Sequence, residues 1–143
     1  AHLDSMKQAA EYLKEKLSLN DIKLANLLGV TERSLNEWKT RGLADIPPKA
    51  YRIKRLFEVI SYLESHYQQV EQDDYYRILL NGRITIDPKD EEEGTVSLVG
   101  HINAEPKAQA YAGLVDEAVR DFYEQDHPGE ASGEADKQLS VSP

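Results

Sequence analysis

The sequence predicts an α+β chain that is mainly α. An N-terminal four-helix unit comes first. A small antiparallel β-hairpin, extended to a three-stranded sheet, follows it, and a C-terminal helix and a disordered acidic tail close the chain. Three observations predict this. Apolar residues recur at spacings of three and four as far as Leu63, the repeat of a half-buried helix. Asn81-Gly82 sits between two β-rich runs, the dipeptide best suited to a two-residue hairpin turn. From Asp126 onward the chain is Gly, Ser, Glu, Pro and Ala, with little to bury.

The first helix is predicted over 7–17, where Ala10, Leu13 and Leu17 share a face. Asn20 is an N-cap and Asp21 suits a first turn. A short apolar helix of Ile22, Leu24, Ala25, Leu27 and Leu28 then runs to Gly29, which stops it. Thr31 caps a third helix that turns Leu35 and Trp38 inward and ends at Gly42, after Arg41. Pro47 and Pro48 stand where a new helix can begin, because a first-turn proline loses no needed donor. The fourth helix, over 49–66, carries the stripe Ile53, Leu56, Phe57, Ile60 and Leu63. Positions 68–74 are polar and read as a linker or a frayed end. "YYRILLNGRITID", over 75–87, is the predicted hairpin, and 88–94 an acidic loop. "TVSLVGHI" alternates like a third strand. A helix over 107–124, with Ala110, Leu114, Ala118 or Val119, and Phe122, covers the sheet, since three strands need such cover. The expected units are therefore 6–67, 75–125 and 126–143.

At 143 residues there is room for one domain, or for a small domain and an appendage. The absence of cysteine excludes disulfides, thiolate zinc sites and cysteine nucleophiles, and fits a reducing compartment. No apolar run approaches the roughly 20 residues of a membrane span, and no signal-type stretch opens the chain. The expected location is the cytoplasm, at the bacterial nucleoid. His2, His66, His101 and His127 lie far apart, so no metal site is expected. "DPKDEEEG" lacks the alternating spacing of a calcium loop and reads as a solvated acidic loop. No nucleophile elbow, P-loop or dinucleotide fingerprint occurs. Neither an enzyme nor a cofactor is expected.

The formal charge is −9, unevenly spread. The first 67 residues carry 11 basic against 9 acidic side chains, and the remainder 6 against 17. Between Arg33 and Arg55 stand Arg33, Lys39, Arg41, Lys49, Arg52, Lys54 and Arg55 against only Glu37 and Asp45. A local basic patch on an acidic protein suits a nucleic-acid surface, because the nearby field outweighs the net sum. The competing reading is that these lysines and arginines simply solvate helix faces.

"DIKLANLLGVTERSLNEWK", over 21–39, has the layout of a helix-turn-helix. Ala25 allows a close helix crossing and Gly29 accepts positive φ in the turn. Val30, Leu35 and Trp38 follow at the offsets that seat the second helix, and Leu24 and Leu28 pack beneath. These residues, with Leu24 to Gly42 as the matched stretch, resemble the helix-turn-helix of the Xre/Cro-repressor-like family. Members typically show an Ala, a Leu-Gly-Val turn, a Thr or Ser cap, a Trp and a closing Gly. The first motif helix departs from that pattern, having Asn20 and Asp21 where a phosphate-contacting Gln is common. The resemblance implies a four-helix DNA-binding unit whose third helix enters the major groove.

On that reading the DNA-binding residues are Thr31, Arg33, Ser34, Asn36, Glu37, Lys39, Thr40, Arg41, Lys49 and Arg52. Outward positions near the start of the third helix meet base edges. Arg33 fits guanine O6 and N7, and Asn36 an adenine edge or a phosphate. Thr31 and Ser34 position backbone. Glu37, with Glu32, repels phosphate but can accept from cytosine N4. Lys39, Arg41, Lys49 and Arg52 are expected on phosphates. The competing reading makes Arg33 a surface partner of Glu37, four residues on. The expected function is a sequence-specific transcriptional regulator, a repressor or antitoxin, bound to double-stranded DNA as a homodimer. The acidic half suits a basic protein partner. The alternative is an adaptor whose helical unit and acidic half bind a partner protein.

Overall fold

The computed structural model describes residues 5–40, 47–85, 95–104 and 111–126. Among these the chain is mainly helical, with one small antiparallel sheet. The order is α1 (Met6–Leu17), α2 (Asp21–Leu28), α3 (Glu32–Trp38), α4 (Tyr51–His66), α5 (Gln72–Asn81), β1 (Arg83–Thr85), β2 (Thr95–Ser97), α6 (Leu98–Asn103) and α7 (Tyr111–Asp126). Residues 1–4, 41–46, 86–94, 105–110 and 127–143 lie outside the described set. The expected acidic loop, nearly all of the expected tail, and Arg41 and Gly42 fall there.

Side-chain caps start the first three helices. Ser5 Oγ accepts from Gln8 N at 3.1 Å, Asn20 Oδ1 from Lys23 N at 2.8 Å and Thr31 Oγ1 from Ser34 N at 3.0 Å. Each satisfies one of the orphan donors of a first turn. A 3-10 turn at Pro48–Ala50 leads into α4. No helix among the described residues is long and apolar enough to cross a membrane.

The second half corrects the expected hairpin. Positions 75–80 form no strand; they belong to α5, and 72–74, read as linker, form its first turn. Tyr75, Ile78 and Leu79 are buried at helical spacing and join the core beside α1 and α7. Packing of that stripe overrides the β-rich composition. Gly82 has φ −70°, which no type I′ turn accepts. Glycine is needed there for another reason: a Cβ would lie 2.7 Å from the Ala118 carbonyl oxygen and 2.8 Å from that of Ile78. Gly82 lets α7 cross close to the end of α5.

The sheet is two-stranded, β1 against β2, with Arg83 opposite Ser97, Ile84 opposite Val96 and Thr85 opposite Thr95. The expected third strand reduces to β2. From Leu98 the chain is helical, because Ser97 Oγ caps Gly100 N at 3.0 Å and Leu98, Val99 and Ile102 turn into the core. α7 closes the outer edge of β1 with carboxylates. Asp121 Oδ2 accepts from Arg83 N at 2.9 Å and Glu117 Oε2 from Thr85 N at 2.7 Å. Such a cap removes an edge open to strand pairing. One continuous apolar core runs from Met6, Leu13 and Leu24 through Leu56 and Leu63 to Ile78, Ile84, Ile102 and Val119. The elements after residue 67 thus share the core of the first four helices.

Candidate nucleic-acid interface

α2 and α3 meet around a left-handed glycine. Gly29 has φ +68°, its N–H bonds to Asn26 O at 3.1 Å, and Val30 N–H bonds to Ala25 O at 3.0 Å. This closes α2 as glycine caps do and aims the chain directly into α3. Ala25 is buried at the crossing, and Leu35 and Trp38 pin the inner face of α3. α3 packs chiefly against α2, and Glu32, Arg33, Asn36 and Glu37 on its outer side are exposed.

Arg33 forms no ion pair or hydrogen bond with a described residue, so the alternative pairing with Glu37 is not made. Thr31 and Ser34 hold each other: Thr31 caps Ser34 N and donates to Ser34 Oγ at 3.0 Å. Thr40 is exposed, and its hydroxyl donates to Glu37 O at 2.7 Å. Lys49 is exposed on the 3-10 turn. Arg33, Asn36, Glu37 and Thr40 therefore share one solvent-facing segment.

Two of the expected phosphate contacts do other work. The Lys39 Nζ lies 2.7 Å from Asp21 Oδ1, its side chain only 13% exposed, with Glu11 Oε2 at 3.9 Å. Lys14 meets the same Asp21 oxygen at 3.0 Å. Asp21 is thus the hub of a pair of cations. The hydrogen bond from Lys39 first, and that from Lys14 second, hold its carboxyl below the usual carboxylate range. The position where the resembled family often has a phosphate-contacting Gln instead braces α1, α2 and α3 together.

Arg52 is the second residue engaged within the fold. From α4 its guanidinium donates through Nη1 to Leu28 O at 2.7 Å. It satisfies a carbonyl left open by the end of α2, and its positive charge suits a helix C-terminus. The preceding carbonyl, Leu27 O, accepts from Asn103 Nδ2 of α6 at 3.0 Å. Arg55 Nε in turn donates to Ile102 O at 2.9 Å. Side chains from α4 and α6 therefore clamp the turn that aims α3. Sequence reasoning missed Asn103, and no local pattern marks it, since its partner lies 76 residues away. The expected basic-partner surface on the acidic half is also partly engaged: Asp116 Oδ1 accepts from Tyr62 at 3.0 Å and from Tyr67.

Comparison with protein-family models, curated proteins and solved structures finds no match to this chain.

Proposed function

We propose that this chain is a sequence-specific regulator that binds double-stranded DNA by placing α3 in the major groove. The observation that carries this reading is the exposed outer side of α3, with Arg33 unengaged by any described residue, on a helix held from behind by Leu35, Trp38 and the clamped turn at Gly29. A rigid helix that presents a planar guanidinium and an amide near its N-terminus is what reading base edges requires. Arg33 and Asn36 read bases, Thr40 and Lys49 contact the backbone, and Lys39 and Arg52 act by holding the fold. A single module of this size binds weakly, so two copies on a palindromic site supply the affinity. A repressor or an antitoxin works in this way.

The test is selection of bound duplexes from a random pool, followed by titration of the winner at two salt concentrations. Enrichment of one motif, with affinity that falls steeply with salt, supports the reading, because phosphate contacts release counterions. A pool that never enriches defeats it.

A further inference from the structure

A groove of about 660 Å³ lies between the end of α1, α2 and α5. Leu17, Leu27, Tyr76, Leu80 and Val99 supply its apolar lining. Tyr76 and Leu80 are 37% and 39% exposed and stand one turn apart on α5, so they form one patch. Isolated exposed apolar residues are ordinary; these two adjoin a groove that is itself partly apolar. The charged lining is net positive on an acidic chain: Lys16, Lys23 and Arg77 against Asp73, with Arg77 also paired to Asp74 Oδ1 at 3.4 Å.

The last described turn of α7 ends near this surface. At the end of α7, Gln125 Nε2 donates to Asn81 O at 2.9 Å, next to the groove residue Leu80. The segment that follows, "HPGEASGEADKQLSVSP", carries Glu130, Glu134 and Asp136 against Lys137, and then Leu139 and Val141. Its chemistry complements the groove in sign and in apolar content. We propose that residues 127–143 dock into this groove of the same molecule, with carboxylates at Lys23 and Arg77 and the apolar end over Tyr76 and Leu80. A tether makes the local concentration about millimolar, so weak contacts suffice. This does not depend on the DNA-binding reading.

The experiment compares amide NMR spectra of the full chain with those of a chain ending at Asp126, and with those of a full-length Glu130→Gln, Glu134→Gln, Leu139→Ser variant that needs no truncation. The Lys23, Tyr76, Arg77 and Leu80 amides are expected to shift in both comparisons and to be insensitive to dilution. A synthetic 127–143 peptide added to the shortened chain should move the same amides saturably. Lys23→Glu with Arg77→Glu should weaken that binding roughly tenfold. Both substituted residues are exposed, and unchanged core amides verify the fold. Identical groove amides with and without an intact segment overturn the proposal. Shifts that fade on dilution assign the occupant to a second copy and overturn it equally, as does peptide binding away from the groove.

Discussion

Arg52 Nη1 stands 2.7 Å from the Leu28 carbonyl oxygen, so a side chain of α4 completes the last turn of α2. The bond fixes the direction in which the chain leaves α2 for α3. Removing the guanidinium leaves a half-buried carbonyl unpaired, which costs about 1–3 kcal/mol. Arg52→Ala is therefore expected to lower the denaturant midpoint by that amount with little change in m. On the proposed DNA-binding reading, its effect on affinity should appear as a uniform loss across sequences with the salt slope retained, because Arg52 is a brace. A fall of about one in the slope would instead return Arg52 to the phosphates.

Gly82 offers a second handle on the fold. Alanine there would bring Cβ within 2.7 Å of a backbone oxygen of α7, and backbone cannot swing aside as a long side chain can. Overpacking of this kind costs about 1–3 kcal/mol. Gly82→Ala should lower the melting temperature clearly, while Gly113→Ala, in open space, should not. Equal melting temperatures for the two variants would disprove the close crossing of α5 and α7.

These two glycine and arginine contacts also mark where the sequence was readable. The starts and inward faces of α1 to α4 are legible because their apolar spacing, the Asn20 and Thr31 caps and the Gly29 stop all point the same way. But α3 ends at Trp38, before Arg41, and the four helices form no separate unit, since later elements share their core. The outer side of α3 was legible for the same reason: Leu35 and Trp38 fix which side faces in. α5 was misread. Tyr75, Ile78 and Leu79 do carry helical spacing, but Asn81-Gly82 and the β-rich composition gave a stronger local signal, and only packing decides between them. The engagement of Lys39 and Arg52 within the fold is not legible in the sequence, because a basic side chain looks the same whether its partner is a phosphate, a carboxylate or a carbonyl. Their partners lie 18 and 24 residues away, and no periodicity encodes such a pair.

The pH dependence follows from Asp21, Glu64 and Tyr12. The carboxyls of Asp21 and Glu64 titrate below their ordinary values, Asp21 held by Lys39 first and Lys14 second, Glu64 by Lys16 first and Tyr12 second. Both are more acidic folded than unfolded. The stability they contribute is present above the unfolded values of 3.8 and 4.5 and is lost as pH falls through the lower folded ones. Tyr12 moves the other way. Burial first, then its hydrogen bond to Glu64, pushes it up from 10.0 to about 12. Its contribution is intact below pH 10 and is lost as pH rises toward 12. Urea midpoints should therefore drop below about pH 4 and again above pH 10. In Asp21→Asn the acid-side drop should shrink, and an unchanged acid limb would remove Asp21 from this role.

Arg33 and Lys39 separate binding from folding. Arg33 is exposed and unpaired with any described residue, so Arg33→Ala should leave the urea midpoint within about 0.5 kcal/mol of the parent. On the proposed reading, its effect should fall on one base position, with a loss of about 1–3 kcal/mol and relaxed preference there. Lys39 is mostly covered and holds Asp21, and so joins α3 to α2. Exposed pairs contribute about 0–1 kcal/mol, and partial burial puts this one toward the upper end, near 1 kcal/mol. Lys39→Ala is thus expected to destabilise the fold, to weaken all duplexes alike through a less rigid α3, and to spare the salt slope. Reading the two variants side by side, by urea melts and by titration with the selected duplex and a scrambled one, gives four numbers. A stable Lys39→Ala with a reduced salt slope, or a destabilised Arg33→Ala with intact specificity, would exchange the roles assigned to the two residues.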